Sequence, residues 1–361
     1  MNYDVVIVGA GVAGNTVALE CVKAGLKTLV VEKSDPKSEG GYRIKPCGGG
    51  LSEGCVREFP QVKEFIIHKI KDMVHVMGDQ EIVSKDMVIS MSNRDELDLG
   101  LAELAQAEGA EYVFGKIWNE KTRNDYDYKW LIGAGGATCP ISRNLNYKKK
   151  TIPLKVAYFD DPDWNDRDQA EIYAFEDMVG YGWVFPKGSF VDVGLGAEAS
   201  GKQVNEWYRK YLNIHGYEKP SWEGAWMIPM TWYPDQRPII DDTILIGDSG
   251  NFVNPATGEG IYYSMLSARE AARVITGDLE ADQYPTFGSK LYRIQKMKDE
   301  ISEMGTREFF EIGLKNKKLF DDTVGFLFCD KPEPKLSKRT DGEKSDIYNK
   351  LLKKMESLEN R

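Results

Sequence analysis

The sequence lacks the features that mark membrane-spanning and secreted proteins. No apolar run within its 361 residues is long enough to cross a bilayer, so any membrane contact is expected to be peripheral. The amino terminus has neither the basic segment nor the long apolar core of a secretory signal, which predicts that no such signal is present. These absences favour a cytoplasmic protein.

Charge and cysteine usage exclude further classes. The formal net charge is −10, and basic residues do not cluster with aromatic ones, which argues against nucleic acid as a partner. The five cysteines lie far apart, without the paired spacing of a metal site or a disulfide framework. The three histidines show neither triad nor metal spacing, so no metal site is predicted. A hydrophobic content of 42% instead indicates a globular chain with a large core.

A glycine-rich turn between two apolar runs of strand length carries the first positive signal. Glycine there permits a tight bend, lets the backbone approach a pyrophosphate and allows close helix packing. Glu32 ends the second strand about 20 residues downstream, where it suits the hydroxyls of an adenosine ribose. The pattern predicts an adenine-dinucleotide site without choosing between NAD and FAD. Its residues are Gly9, Gly11, Ala13, Gly14 and Glu32.

A second motif, around Asp248, favours a flavin. Thr243–Ile246 reads as a buried strand with Asp248 just beyond its carboxyl end, and Gly258, Gly260 and Ile261 then open a helix. A carboxylate at this place can hold ribityl hydroxyls, and amides at a helix start can face the ring edge where negative charge collects on reduction. The two motifs together predict bound FAD. The alternative is a corner whose glycines serve packing alone.

The pattern of strands and helices predicts an α/β fold with three regions. A Rossmann-type FAD-binding domain is combined with an antiparallel β-sheet domain for the substrate and a helical C-terminal region with a charged tail. Within the tail, a basic amphipathic helix over Asp346–Met355 predicts a surface cap or, alternatively, a peripheral contact with a membrane or partner. The expected bounds are 1–58, 91–145 and 235–290 for the FAD-binding domain, 59–90 and 146–234 for the sheet domain, and 291–361 for the C-terminal region.

Two further blocks narrow the class. One runs from Lys45 to Ser52 and contains a cysteine followed by three glycines, and the other runs from Gly180 to Lys187 and is rich in aromatic residues. With the Asp248 segment, they resemble the geranylgeranyl reductase family of FAD-dependent prenyl reductases, within the superfamily that includes aromatic hydroxylases. The resemblance implies an aromatic-hydroxylase-like fold, FAD as cofactor, and saturation of double bonds in geranylgeranyl chains of archaeal-type ether lipids or their precursors.

The first of these blocks predicts a passage beside the flavin. Gly48 and Gly49 allow the backbone to pass flat against a planar ring without a Cβ clash, with Pro46 and Cys47 at its mouth. In the family this cysteine lies beside the catalytic face, which implies that Cys47 positions the alkene or donates a proton. The alternative is a small buried thiol that fills space.

The second block predicts an aromatic wall. Tyr181, Trp183 and Phe185 alternate with smaller residues, so their side chains point to one side of a strand. A prenyl chain offers no polar group along its length, so apolar walls must recognise it. The alternative is an ordinary sheet core, and the resemblance favours substrate binding.

The resemblance also assigns two cofactor contacts and shows one departure. Arg94 would contact cofactor phosphate or ribose, with an ion pair to Asp98 as the rival interpretation, and the backbone of Ile117, in a predicted strand over 112–117, would meet adenine. After the third strand the family commonly has Ala-Asp-Gly, whereas this chain has Gly135 at the place of the acid. One carboxylate contact with the flavin domain is therefore missing.

Two other functions share the cofactor motifs. An FAD monooxygenase of a small aromatic or isoprenoid substrate is disfavoured by the Cys47 passage and the aromatic wall, and a flavin electron carrier would lack an apolar tunnel. For a reductase with prenyl-lipid substrate, the single dinucleotide fingerprint is taken by FAD, which predicts slow reduction by NADH or NADPH. An external low-potential donor, such as ferredoxin or a deazaflavin, is then expected.

Overall fold

The computed structural model describes residues 2–38 and 45–328, which form two large β-sheets, one small sheet and a set of helices. The strands are β1 (Asn2–Val8), β2 (Thr28–Val31), β3 (Gly50–Ser52), β4 (His68–Ile70), β5 (Asp72–Met77), β6 (Gln80–Ser84), β7 (Ile89–Met91), β8 (Glu111–Val113), β9 (Asp127–Gly133), β10 (Thr151–Phe159), β11 (Gln169–Tyr173), β12 (Gly180–Pro186), β13 (Val191–Ala197), β14 (Trp222–Pro229), β15 (Ile239–Ile240) and β16 (Thr243–Leu245).

The helices follow the same order along the chain. They are α1 (Val12–Lys23), α2 (Glu53–Glu58), α3 (Arg94–Ala107), α4 (Glu120–Arg123), α5 (Pro140–Asn144), α6 (Gly201–His215), α7 (Ile261–Thr276), α8 (Gly288–Met304), α9 (Thr306–Lys315) and α10 (Lys317–Phe328). Short 3₁₀ turns cover Pro60–Phe65, Gly136–Thr138, Gly247–Gly250 and Ala281–Gln283. None of the helices in the described part of the chain is long and apolar enough to span a membrane.

The first large sheet has the strand order β15-β16-β9-β1-β2-β8 and is parallel except for its β15–β16 edge. Its central strands are continuous apolar runs because both faces are covered, with Val5 and Ile7 under α1, α3 and α7 and Val6 on the other face. Parallel strands end at one edge, so the turns after β1, β2, β9 and β16 meet there. The Rossmann-type part of the predicted fold is confirmed.

The boundaries near this edge differ from the sequence-based expectation at two places. The strand expected over 112–117 ends at Val113, because Gly115 adopts a left-handed backbone with φ +71° that breaks the extended run. The helix expected from Gly258 begins at Ile261, since Gly258 itself has φ +72°. Gly115 and Gly258 therefore lie in loops and not within a strand or a helix.

The second large sheet has the order β14-β10-β13-β12-β11-β5-β6. It is antiparallel as expected, apart from the pair β5 and β11, which run parallel. One face packs under α6 around Tyr208 and Tyr211, and the other faces Phe310 and Phe320 of the C-terminal helices. A small sheet, β3-β7-β4, carries the segment that follows Cys47.

The C-terminal region is helical as far as it is described. Phe310 is buried, whereas Leu314 is 44% exposed, because Leu314 lies on the outer side of α9 while Phe310 and Gly313 face the core. The helix predicted over Asp346–Met355 lies outside the described residues. The domain bounds drawn from the sequence remain a prediction.

Candidate functional site

A cavity of about 740 Å³ is lined by residues of both large sheets and of the C-terminal helices. It gathers the predicted site residues with the exception of Gly14, which instead packs α1 against the turn: a Cβ there would lie 1.8 Å from the Gly9 carbonyl oxygen. The site residues that line the cavity are Gly9, Gly11, Ala13, Glu32, Pro46, Cys47, Gly48, Gly49, Arg94, Ile117, Tyr181, Trp183, Phe185, Asp248, Gly258, Gly260 and Ile261.

The turn after β1 has the shape of a dinucleotide cradle. Gly9 has φ +112°, and a Cβ on it would lie 2.6 Å from the Ala134 carbonyl oxygen, so only glycine fits. A Cβ on Gly11 would meet no heavy atom of the described residues within 4 Å, which leaves the backbone open to a ligand at the start of α1. A pyrophosphate group fits this helix N-terminus.

Glu32 at the end of β2 fixes the same turn. Its Oε2 accepts a hydrogen bond from the Ala10 amide at 2.7 Å, and its Oε1 accepts one from the Ser34 amide at 2.8 Å. Each carboxylate oxygen retains a lone pair for a further donor such as a ribose hydroxyl. Ile117 is 67% exposed at the rim of the cavity, beyond the end of β8.

Asp248 occupies the turn after β16 and is 5% exposed. Its Oδ2 pairs with Lys45 Nζ at 2.8 Å, a contact that the sequence did not indicate. A Cβ on Gly260, just before α7, would lie 3.4 Å from Asp248 Oδ1, so the carboxylate and the helix start are neighbours. This juxtaposition suits a ligand that offers hydroxyl donors to the carboxylate and an electron-rich edge to the helix amides.

The Cys47 passage is shaped by protein contacts as well as by open space. Gly49 has φ +70°, and a Cβ on it would lie 2.2 Å from the Ser92 carbonyl oxygen. A Cβ on Gly48 would lie 2.8 Å from a ring carbon of Phe185. The glycines are therefore required by packing against the chain itself, in addition to the flat approach to a ring that the sequence suggested. The half-buried Cys47 accepts the Gly49 amide at 3.4 Å.

Arg94 forms an ion pair with Asp98, which the sequence suggested as the alternative to a cofactor contact. Its Nη2 lies 3.0 Å from both carboxylate oxygens of Asp98, and both side chains are almost fully buried. Burial alone would lower the pKa of Arg94, but Asp98 and Cys47 outweigh it and raise that pKa. The Nε of Arg94 is buried without a hydrogen-bond partner among the described residues. A ligand in the cavity that Arg94 lines could accept that hydrogen bond.

The three aromatic residues of β12 form a wall along the cavity. Ring centroids lie 5.8 Å apart for Tyr181 and Trp183 and 5.9 Å apart for Trp183 and Phe185. The Tyr181 hydroxyl donates to the Thr257 carbonyl. A Cβ on Gly194 would lie 2.1 Å from the Trp183 ring, so the indole rests flat on β13.

A buried polar group behind this wall was missed by sequence reasoning. Asp192 accepts the Trp183 indole N–H, and Lys187, 3% exposed, donates to the Ser92 carbonyl oxygen at 2.7 Å. Burial raises the pKa of Asp192 to about 6 and lowers the pKa of Lys187. Lys187 could have been suspected because it directly follows the aromatic block, but only strand pairing brings Asp192 opposite Phe185.

One part of the cavity lining away from the cofactor residues is largely apolar. Phe310, Phe320 and Val324 of the C-terminal helices contribute to it, together with residues of β10 and β11. His75 stands edge-on to Phe320 with ring centroids 5.0 Å apart, and burial lowers its pKa to about 4, so it is neutral at pH 7. This part of the cavity suits an uncharged hydrocarbon.

A match to a known protein family agrees with the geometry of the cofactor site. The model of the FAD binding domain family matches residues 4–54, which include the dinucleotide cradle and the Cys47 passage. The fold and the site define an FAD-dependent oxidoreductase.

Sequence similarity to named proteins indicates a narrower class. The geranylgeranyl diphosphate reductase of Rhodobacter capsulatus is 28% identical over 78% of this chain and 77% of its own. The digeranylgeranylglycerophospholipid reductase of Thermoplasma acidophilum is 27% identical over 90% of both chains. These comparisons confirm the predicted resemblance to geranylgeranyl reductases.

Solved structures agree with the fold. A geranylgeranyl bacteriochlorophyll reductase-like protein from Thermoplasma acidophilum superposes with a TM-score of 0.65 at 25% identity, covering 91% of this chain and 90% of that one. The flavin-dependent brominase Bmp2 gives a TM-score of 0.69 at 14% identity over 99% of this chain and 100% of its own. The second likeness shows the shared fold alone.

Proposed function

We propose that the protein uses reduced FAD to saturate double bonds in geranylgeranyl chains of archaeal-type ether lipids or their precursors. The observation that carries this proposal is one cavity lined by the dinucleotide cradle, the Cys47 passage and the aromatic wall. The names of the relatives, geranylgeranyl diphosphate reductase and digeranylgeranylglycerophospholipid reductase, support the substrate class.

The cofactor would be held by residues at the edge of the parallel sheet. The start of α1 at Gly11 would bind the pyrophosphate, Glu32 the ribose, and Asp248 the ribityl hydroxyls, with the start of α7 beside the ring. Arg94 would donate its free Nε hydrogen bond to the cofactor or substrate.

Saturating an isolated alkene requires a hydride at one carbon and a proton at the other, and the hydride is the chemistry that reduced FAD supplies. An unactivated alkene accepts hydride poorly, so proton transfer must lead or accompany it, in a site that excludes bulk water. Cys47 is the proposed proton donor or alkene-positioning group.

Tyr181 is a weaker proton donor than Cys47 for a structural reason. Its hydroxyl hydrogen is already engaged with the Thr257 carbonyl, and burial raises the Tyr181 pKa. We assign Tyr181, Trp183 and Phe185 to binding of the prenyl chain, with the apolar lining from the C-terminal helices continuing the surface.

The electron donor is proposed to be an external low-potential carrier, such as ferredoxin or a deazaflavin. The described residues form one dinucleotide cradle, which is assigned to FAD, so they offer no second cradle for NADH or NADPH. A peripheral membrane contact would bring the cavity to lipid substrates.

We also propose the discontinuous domain division given by the sequence pattern, with the FAD-binding segments around the parallel sheet.

Anaerobic turnover tests the function directly. Dithionite-reduced protein is incubated separately with geranylgeranyl diphosphate and with digeranylgeranylglycerophospholipid, and products are analysed by mass spectrometry. Each double bond saturated adds two hydrogen atoms, and the preferred substrate identifies the head group. Dithionite without protein is the control.

A second incubation, in air and with NADPH, distinguishes the reductase from an FAD monooxygenase. A product that gains an oxygen atom would identify a monooxygenase, and reduced flavin that leaves both lipids unchanged would exclude the reductase. The reductase assignment requires that the lipid gain hydrogen in the anaerobic arm, without any gain of oxygen in the aerobic arm.

A further inference from the structure

Lys149 joins two loops that line the cofactor part of the cavity. Its Nζ donates to the Asp248 carbonyl oxygen at 3.1 Å and to the carbonyl oxygens of Gly136 and Ala137 at 3.4 Å. Gly136 belongs to the turn after β9 and Asp248 to the turn after β16. Lys149 itself is not among the described residues that line the cavity.

Two of the three carbonyl groups that Lys149 contacts have other hydrogen-bond donors. The Gly136 oxygen also accepts the Cys139 amide at 3.1 Å and the Ser249 hydroxyl at 3.2 Å, and the Asp248 oxygen accepts the Asn251 amide at 3.4 Å. A charge-assisted hydrogen bond is ordinarily about 2.7–2.9 Å long, so the contacts of Lys149 are long ones. Hydrogen bonding to the Gly136 and Asp248 carbonyl groups therefore does not by itself account for the cation at this position.

The charge of Lys149 is also poorly compensated. Within the described residues it forms no ion pair with a carboxylate, and its contacts are carbonyl oxygens. Burial lowers its pKa to about 8, opposed in part by Cys139 and Asp248. Lys149 is half-buried, and a partly desolvated cation without a paired anion is stabilised when a ligand brings one.

Both loops that Lys149 joins press against the dinucleotide cradle. A Cβ on Gly9 would lie 3.0 Å from the Gly135 Cα, and a Cβ on Gly247 would lie 3.0 Å from the Ala13 Cβ. The two loops that Lys149 contacts thus lie against the start of α1, where a pyrophosphate fits. Gly135 stands where the family pattern has an acidic residue, so the loop carries a cation beside it and lacks the acid.

We propose that Lys149 is a positioning residue of the cofactor site, which holds the two loops against the cradle and offsets the negative charge of the bound FAD pyrophosphate. Its charge acts across these two loops, where partial burial weakens the screening by solvent. The proposal rests on FAD as the cofactor and is independent of the lipid substrate.

Three variants test this role through FAD release. K149M keeps the length of the side chain but removes the charge, K149R keeps the charge, and K148M removes the neighbouring exposed lysine, whose ammonium lies over the Tyr233 ring. Each holoprotein is diluted in steps, and the fluorescence of released FAD gives the dissociation constant. Far-UV circular dichroism checks the fold of each variant.

The expected result is an increase of about tenfold in the FAD dissociation constant for K149M, with K149R and K148M within about twofold of the wild type. Unchanged affinity in K149M would overturn the proposal. A loss in K149M that K149R does not restore would also overturn it, because it would assign packing rather than charge to the residue. None of these readouts depends on prenyl reduction, so failure of the proposed function is seen separately.

Discussion

The indole Nε1 of Trp183 donates a hydrogen bond to Oδ1 of Asp192 at 2.8 Å, between two buried side chains. Asp192 Oδ2 has no hydrogen-bond partner among the described residues. With the indole resting flat on Gly194, this contact leaves Trp183 a single orientation along the cavity. A carboxylate behind an apolar wall thus fixes the face that would meet a prenyl chain.

Replacing Asp192 with Asn is expected to stabilise the fold at neutral pH. Burial raises the pKa of Asp192 to about 6 from its ordinary value of 3.8. The stability contribution of the protonated form is therefore complete below about pH 4 and is lost as the pH rises through 6. D192N cannot ionise, yet its amide oxygen still accepts the Trp183 N–H.

The expected gain at pH 7 is about 1–3 kcal/mol in the free energy of unfolding, measured by urea denaturation. The gain should shrink between pH 6 and pH 4, as the wild type becomes protonated there as well. D166N, at an exposed aspartate, is the matched control and should show no such trend. A gain that is equal at pH 4 and pH 7 would contradict the assignment.

Gly49 is expected to tolerate alanine poorly. It has φ +70°, and a Cβ would lie 2.2 Å from the Ser92 carbonyl oxygen. Gly25 provides the control. It has φ +78°, and no heavy atom of the described residues would lie within 4 Å of a Cβ there. G25A should cost about 1 kcal/mol from backbone strain alone, and G49A should cost more, both measured by chemical denaturation. Equal costs would show that the passage can shift to admit a side chain.

Replacing Asp248 with Ala should weaken FAD binding by about 1–3 kcal/mol, through lost hydrogen bonds to ribityl hydroxyls. The variant also leaves Lys45 without its partner at 2.8 Å. K45M separates the two effects, since it removes the pair but keeps the carboxylate. Equilibrium titration of FAD should therefore show a larger loss for D248A than for K45M, and the reverse order would exclude the ribityl role.

Cys47→Ser should bind FAD normally but saturate prenyl double bonds much more slowly, or stop at partly reduced products. Serine preserves most of the volume while changing the acidity and the apolar character of the side chain. The measurement is the product distribution from chemically reduced enzyme, so that electron supply is not limiting. Cys21→Ser, at a buried thiol outside the cavity lining, serves as control. Wild-type rates in Cys47→Ser would leave Cys47 as a space-filling thiol.

Much of the cofactor site could be predicted from the sequence because its signals are local. A strand, a glycine turn and a helix follow one another within a few residues, and the chemistry of each position depends on its neighbours in the chain. Gly9, Glu32 and Asp248 were found in this way, and the structure brings all three to one cavity. The alternating aromatics of β12 were likewise visible from the period of a strand.

The sequence by itself determined the parallel sheet, the cradle and the aromatic stripe, since each follows from short-range periodicity and glycine geometry. Only the tertiary structure decided that Lys45 meets Asp248, that Lys149 ties two turns together, and that Asp192 orients Trp183. These contacts join residues from different strands and loops. Their partners are set by sheet register and loop packing, which no local pattern of residues encodes.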